Sequence, residues 1–384
     1  MSTSSSRAAP RRRRWSCDGL RTSPCPSVAG RGWGRWWSCT DADVRCRSPW
    51  SPPPTWPPSR CGSGWPAGWG WGGARSPRHR RTRVGPSRPL RSMLFVPGDQ
   101  PRMLARARQV PADALILDLE DAVAAADKPR ARTLVAQALA EGFPASTAVC
   151  VRPNSRGTGL LEEDLRAVLH PALWGVVVPK VADAAEVVAL DEWLTAHEPA
   201  AGLDPGTVRL LVLVETPRAV LDADAIAQAS PRVTALLLGA DDLAAAMGLR
   251  RTPAGAEVAY PRAHVAVAAH ASGVEAIDMV YTAVRDTDGF RAEAEAGRRL
   301  GYTGKQCIHP AQVEVANAVF TPSPEEVAWA TRVVEAYAAA PRGTIVLDGR
   351  MVDAPIVAQA QRLLDRARAV APPPERPPRR PSRS

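Results

Sequence analysis

Between Arg91 and about residue 320 the chain repeats one pattern. A short apolar run gives way to a longer stretch rich in Ala, Arg and Glu, and then the next run begins. The runs are Met93–Val96, Ala114–Leu119, Ala148–Val151, Gly175–Val178, Leu210–Val214, Ala235–Leu238, Ala276–Val280 and Gln306–Ile308. Most show no polar alternation, so each reads as a strand covered on both faces. Amphipathic segments at Lys128–Ala140, Ala182–His197, Pro217–Ala229, Pro261–Ser272 and Gly289–Leu300 read as helices. Alternating strands and helices pair in parallel through right-handed crossovers. Eight such units over roughly 220 residues fit an α/β fold of the (β/α)8, TIM-barrel type better than an open doubly wound sheet. No GxGxxG motif follows the first run, which further disfavours a dinucleotide-binding sheet.

The ends of the runs carry the chemistry. The stretch RLLVLVETPR takes five apolar residues straight into Glu215, and Thr216-Pro217 then stops the strand. The second run ends in Asp118, Glu120 and Asp121, the third in Arg152 and Asn154, and the fourth in Lys180. The sixth leads to Asp241-Asp242, the seventh through Asp278 to Tyr281, and the eighth to His309. In a parallel barrel all these ends meet on one face, where such barrels place their sites. Adjacent parallel strands lie about 4.8 Å apart, so Glu215 and Asp242 at the ends of consecutive strands are expected to share one hard cation. Arg152 reads either as an ion-pair partner of Asp118 or Glu120, or as a clamp on a substrate carboxylate or enolate. Asp118, Glu120 and Asp121 are expected to surround the metal, orienting its waters or bonding backbone N–H groups. Lys180 is weighed as a Schiff-base lysine against a structural ion pair, with the ion pair favoured. His309 reads as a local hydrogen-bonding residue rather than a base. Cys150 and Cys307 read as buried free thiols.

Past residue 320 the helical stretch Pro324–Ala338, the segment GTIVLDGRMVDAP and a last helix to about Arg368 form more than a barrel needs to close. This C-terminal helical extension, residues 321–370, is expected to reach a neighbouring subunit or to pack on its own barrel. A Pro/Arg tail, 371–384, is expected to be disordered. Composition changes the picture at the other end. The first 90 residues hold 17 arginines, no lysine and three aspartates, about +14, whereas the whole chain is +10, which leaves −4 for the remainder. The basic balance therefore belongs to residues 1–90, and nucleic acid is an unlikely partner for the folded part. That leader carries nine of the 12 tryptophans and five of the seven cysteines, broken by Pro and Gly. It reads as upstream sequence read from an early start, with the barrel's own start near Val84 or Met93, rather than as a targeting peptide. No run reaches the ~18 apolar residues of a membrane span, and a cytoplasmic location is expected.

The motifs RSMLFVPGD, DLEDAV, VRPN, VVVPKV, VETPRAVLDA, GADDLAA, AIDMVYT, GKQCIHPAQV and GRMVDAP, in unbroken order from about Arg91 to Leu364, resemble CoA ester lyases related to the citrate lyase beta chain. These belong to the HpcH/HpaI aldolase and citrate lyase superfamily. The resemblance implies a Mg²⁺-dependent barrel, with Mn²⁺ as a substitute, acting on a CoA thioester and a 2-oxo acid, usually in homotrimers. It implies metal binding by Glu215 and Asp242, and substrate binding by Arg152 and Glu215. It also implies catalytic roles for Arg152 and for Asp353, the latter entering a neighbouring subunit's site. The implied reaction is reversible carbon–carbon cleavage of a citryl-, malyl- or citramalyl-CoA-like substrate. A CoA-independent class II aldolase, or a malyl-CoA thioesterase on the same residues, is the alternative.

Overall fold

The computed structural model describes residues 88–340 and 343–370. The expectations for the arginine-rich leader and the Pro/Arg tail fall outside these, except for Arg88, Pro89 and Leu90 at the leader's end. The apolar runs become strands β1 (Ser92–Pro97), β2 (Ala114–Asp118), β3 (Ala148–Arg152), β4 (Gly175–Val178), β5 (Arg209–Val214), β6 (Val233–Leu238), β7 (Glu275–Asp278) and β8 (Gly304–Cys307). They pair in sequence order, all in parallel, and β8 closes on β1 to complete a barrel. Between and after them lie helices α1 (Pro101–Ala107), α2 (Lys128–Glu141), α3 (Leu161–Val168), α4 (Ala184–His197), α5 (Pro217–Leu221), α6 (Ala223–Gln228), α7 (Ala240–Ala246), α8 (Ala259–Ser272), α9 (Thr287–Leu300) and α10 (Pro310–Phe320). The expected TIM barrel is thus the observed fold.

Two side-chain layers explain why the runs lacked alternation. One parity of each strand faces the barrel axis, where Met93, Ile116, Cys150, Val177, Leu211, Leu213, Leu237 and Ile277 pack together. The other parity, including Leu115, Val151, Val212 and Leu236, packs under the helices. Leu90 joins the interior layer. Between β5 and β6 the register shifts by one residue, so Leu211 pairs with Ala235 and Val214 with Leu238. A shift of this kind re-aims every later side chain on one strand.

Several expected boundaries move, each for a physical reason. The eighth strand starts at Gly304 rather than Gln306. Lys305 lies in it fully buried because Glu293 at 2.7 Å and Asp278 at 3.5 Å neutralise it. The expected helix Pro217–Ala229 is two helices, separated at Asp222, whose backbone leaves helical geometry at ψ 11°. Asp242 does not end a strand. β6 stops at Leu238, and Asp242 sits in the first turn of α7, where an acid suits the helix dipole.

The extension consists of α11 (Pro324–Ala338), a hairpin of β9 (Thr344–Leu347) and β10 (Arg350–Asp353), and α12 (Ala354–Val370). It has its own small core of Ala330, Val333, Val352 and Ala360. Ser323 and Glu326 form a capping box at the start of α11, and Glu326 also binds Arg298 of α9 at 2.7 Å. Among the described residues no helix is long and apolar enough to cross a membrane.

The strands that carry the candidate site are tied at their base by Arg232. It is almost fully buried and donates to Glu198 at 2.7 and 2.8 Å, to Asp191 at 2.5 Å, to Thr195 at 2.8 Å and to the Val208 carbonyl at 2.9 Å. Removing one member of a buried pair strands the other charge. Arg232→Ala is therefore expected to lower stability by about 3–5 kcal/mol in chemical denaturation. A loss below about 1 kcal/mol, the scale of an exposed pair, would show that Glu198 is not held this way.

Candidate active site at the barrel mouth

The interior parity of the strands runs on past the apolar layer and ends in polar groups. Ala114 and Ile116 lead to Asp118, Ala148 and Cys150 to Arg152, Leu211 and Leu213 to Glu215, and Ala235 and Leu237 to Gly239. A charge follows an apolar strand here because the next inward position is no longer core. It is the floor of a cavity of about 290 Å³, whose lining includes Phe95, Asp118, Arg152, Glu215, Gly239, Asp242 and Gln306.

Glu215 is 2% exposed, and its Oε1 accepts the Lys180 backbone amide at 2.7 Å. Burial, and after it the charge of Asp242, push its pKa from 4.5 up to about 8. Gly239 makes room for it. A Cβ at Gly239 would lie 2.5 Å from both Cβ and Oε2 of Glu215, so any side chain there collides with the carboxylate. Asp242 is open to solvent, 43% exposed.

Arg152 and Asp118 face each other across β2 and β3 in direct register. Nε donates to Oδ1 at 2.8 Å and Nη2 to Oδ2 at 2.6 Å, a fork-on-carboxylate pair. The guanidinium lies over the Phe95 ring, 4.8 Å from its centre. Its Nη1 is 3.3 Å from Glu120 and 3.7 Å from Asp121. Of the two readings of Arg152, the ion pair to Asp118 is observed, and the residue also lines the cavity. Asp118 also accepts the amides of Glu120 and Ala122 at 2.9 and 3.2 Å. Lys180 spans the opposite side, its Nζ 3.0 Å from Glu120, 3.2 Å from Asp121 and 3.9 Å from Asp242. Burial opposes its charge, but Glu120 and Asp121 outweigh burial and hold its pKa above the usual lysine value. An ammonium held this firmly is no Schiff-base nucleophile.

The remaining candidates have local roles. His309 caps α10, its Nδ1 accepting the Ala311 amide at 3.2 Å. Asn154 is buried, with both its amides on Asp164. Cys150 and Cys307 are buried free thiols, and burial pushes Cys307 up to about 12. Asp353 does not line the cavity around Glu215. It ends β10 opposite Thr344 and accepts a 3.4 Å bond from Ile356 at the start of α12. Phe95, Gly239 and Gln306 are site residues that the run-end reading missed. Gln306 fixes the mouth from within, donating to the carbonyls of Leu238 and Asp278 at 2.9 and 3.1 Å. The signal that finds them is the two-residue period of inward positions, which takes in Phe95 and Gln306 within their runs and Gly239 one step beyond its own.

The residues fit a hard divalent cation. Of the acids lining the cavity, Asp118 and Asp241 are paired to Arg152 and Arg251, which leaves Glu215 and Asp242, and burial followed by the charge of Asp242 raises Glu215. Both oxygens of Glu120 are buried without an aligned hydrogen bond, although cations lie at ion-pair distance. Among the described residues no three acidic, histidine or cysteine side chains converge on one point to hold an ion. A cation here would take two protein ligands and leave its other positions to water and substrate, the habit of Mg²⁺.

Comparison with known proteins agrees with this geometry. Residues 91–310 match the HpcH/HpaI aldolase/citrate lyase family. The chain belongs to this family. It is 37% identical to the citrate lyase subunit beta of Haemophilus influenzae over 284 residues, 73% of this chain and 97% of that protein. It is 38% identical to a (3S)-malyl-CoA thioesterase of Cereibacter sphaeroides over 286 residues, 74% and 96% of the two chains. The crystal structure of CitE from Mycobacterium tuberculosis in complex with magnesium, acetoacetate and coenzyme A superposes with a TM-score of 0.60. The two share 35% identity, over 73% of this chain and 98% of that one. The chain is thus a member of the citrate lyase beta subunit branch of this aldolase and lyase family.

The folded pKa of Glu215 lies above its ordinary value. Its protonated form therefore supports the cation-free protein, fully below about pH 4.5, and this support is lost as pH rises through about 8. A divalent cation held by Glu215 would take the place of that proton. Titration calorimetry at pH 7, in buffers of different ionisation enthalpy, is expected to show about one proton released per Mg²⁺ bound. Glu215→Gln should abolish the release. Binding with no proton released by the native chain would rule out Glu215 as the displaced acid.

Proposed function

We propose that this chain cleaves a 3-hydroxyacyl-CoA to acetyl-CoA and a 2-oxo acid by a reversible Claisen-type reaction. The observation that carries the reading is the buried Glu215 beside Asp242, at the mouth of a barrel whose other wall is Arg152. The family supports the class of reaction, carbon–carbon lysis of a CoA ester, with Mg²⁺ as cofactor. Glu215 and Asp242 would hold the cation. When bound, it supplies Lewis acidity to the oxygen on the carbon that becomes the ketone.

The residues of the chain then divide the work. The substrate's 3-hydroxyl loses its proton, and the bond between C2 and C3 breaks. Its electron pair passes into the thioester as an enolate, C3 becomes the keto carbon, and the enolate takes up a proton at C2. Arg152, oriented by its fork on Asp118 and supported by Phe95, would stabilise the negative charge on the substrate oxygens. Asp353 would move the enolate's proton from a neighbouring subunit of a homotrimer. Its position outside this chain's own cavity supports a role that needs a second copy. Hydrolysis of the thioester at the same cavity is the second reading, favoured by the equal likeness to a malyl-CoA thioesterase.

Assay of citryl-, malyl-, methylmalyl- and citramalyl-CoA, with and without Mg²⁺, is expected to find one substrate split to acetyl-CoA and oxaloacetate, glyoxylate or pyruvate. EDTA, or Glu215→Ala with Asp242→Ala, should remove turnover by a factor of about 10³ or more. Activity that survives either would sink the metal reading, and release of the free hydroxy acid with CoA would assign hydrolysis.

The Asp353 role has its own test. Asp353→Ala and Glu215→Ala subunits, each inactive alone, should regain activity when refolded together. No recovery in verified mixed oligomers would place the proton donor elsewhere.

A further inference from the structure

We infer that Lys180 determines the cation specificity of this site, by holding Glu120 and Asp121 away from the metal and so leaving coordination positions free for substrate. The inference rests on the reading of Glu215 and Asp242 as the cation's ligands.

Asp118 and Asp241 at this mouth are paired to Arg152 and Arg251, and Lys180 contacts the other four carboxylates. Its ammonium lies 3.0 Å from Glu120, 3.2 Å from Asp121 and 3.9 Å from Asp242, while its backbone amide donates to Glu215 at 2.7 Å. One residue can do both because its backbone is left-handed, with φ of +52°. That region is disfavoured for a side chain with a Cβ, at about 1–2 kcal/mol, and persists where the surroundings enforce it. Here the enforcing contacts lie on both sides of the same turn. The amide is fixed by β5, and the ammonium by the loop after β2.

The consequence lies in what the ammonium displaces. It stands within 4 Å of three carboxylates and holds them around a fixed ammonium rather than around a metal ion. Glu120 is the acid most ready to move, since neither of its buried oxygens has an aligned hydrogen bond. Without Lys180, Glu120 and Asp121 would keep only the Arg152 guanidinium, at 3.3 and 3.7 Å, which is itself forked on Asp118, and would be free to turn toward a cation on Glu215 and Asp242. A nest of four carboxylates suits Ca²⁺, which takes six to eight oxygen ligands flexibly, better than Mg²⁺, which keeps waters and demands an octahedron. Such a nest would also fill the positions that a hydroxy acid or oxo acid must occupy.

The test is calorimetric titration of the purified full chain with Mg²⁺ and with Ca²⁺. Lys180→Met is expected to bind Ca²⁺ about tenfold or more tightly than the native chain, with a smaller gain for Mg²⁺. Its kcat at saturating Mg²⁺ should fall and its KM for the acyl-CoA should rise. Lys180→Gly separates backbone from charge, because glycine holds a φ of +52° without strain, and it should show the same gain for Ca²⁺. Lys180→Arg should stay within about twofold of the native affinity, since it keeps the charge. Adding Glu120→Gln to Lys180→Met should return Ca²⁺ affinity toward the native value. Native or weaker Ca²⁺ affinity in both Lys180→Met and Lys180→Gly would overturn the inference. A native chain that binds cations no better than Glu215→Gln overturns the ligand assignment instead, and the inference with it.

Discussion

The mouth of this barrel is organised around one costly placement, a carboxylate buried directly above the apolar layer of the barrel interior. Glu215 sits one inward step above Leu213 and beside a glycine, with almost no exposed surface. Burying a charge is unfavourable unless something answers it. A backbone amide answers part, and Asp242 makes the problem worse by adding like charge. A proton on Glu215 resolves it in the free protein, and on the proposed reading a cation between the two acids would take that proton's place. The interior packing, the register shift between β5 and β6, and the missing side chain at Gly239 all serve this placement.

The other charges at the mouth divide into two groups with separate tasks. Arg152 is locked to Asp118 across two strands and backed by Phe95. Lys180 gathers Glu120 and Asp121. On the proposed reading Arg152 would answer charge that develops during reaction, and Lys180 the acids that would otherwise compete for metal.

How far the chain could be read depended on what each element buries. β5 was legible because both of its faces are apolar. β8 was read two residues late because Lys305 and Gln306 point inward as polar groups, satisfied by Glu293, Asp278 and two backbone carbonyls far away in sequence. The short helices α1, α3, α7 and α10 escaped notice, and the long run after Glu215 was read as one helix rather than two. Their boundaries are decided by caps and turns at single residues, such as Asp222. Glu215 and Arg152 stood out because a charge ending an apolar run is rare. Gly239 did not, because a glycine announces nothing until its neighbour is known.

Taken alone, the amino-acid order determined the barrel, the face that carries the site, and the acids and arginine on that face. These follow from local periodicity, which a chain expresses without knowing its distant contacts. Tertiary structure decided the rest. It set which strand registers place Glu215 against Gly239 and Arg152 against Asp118, and it moved Asp242 from a strand end to a helix turn. It also turned Lys180 into a left-handed conformation between four carboxylates. The physical reason is range. Burial pattern is a property of neighbours in sequence, whereas pairing of charges is a property of neighbours in space, and here those partners lie up to tens of residues apart.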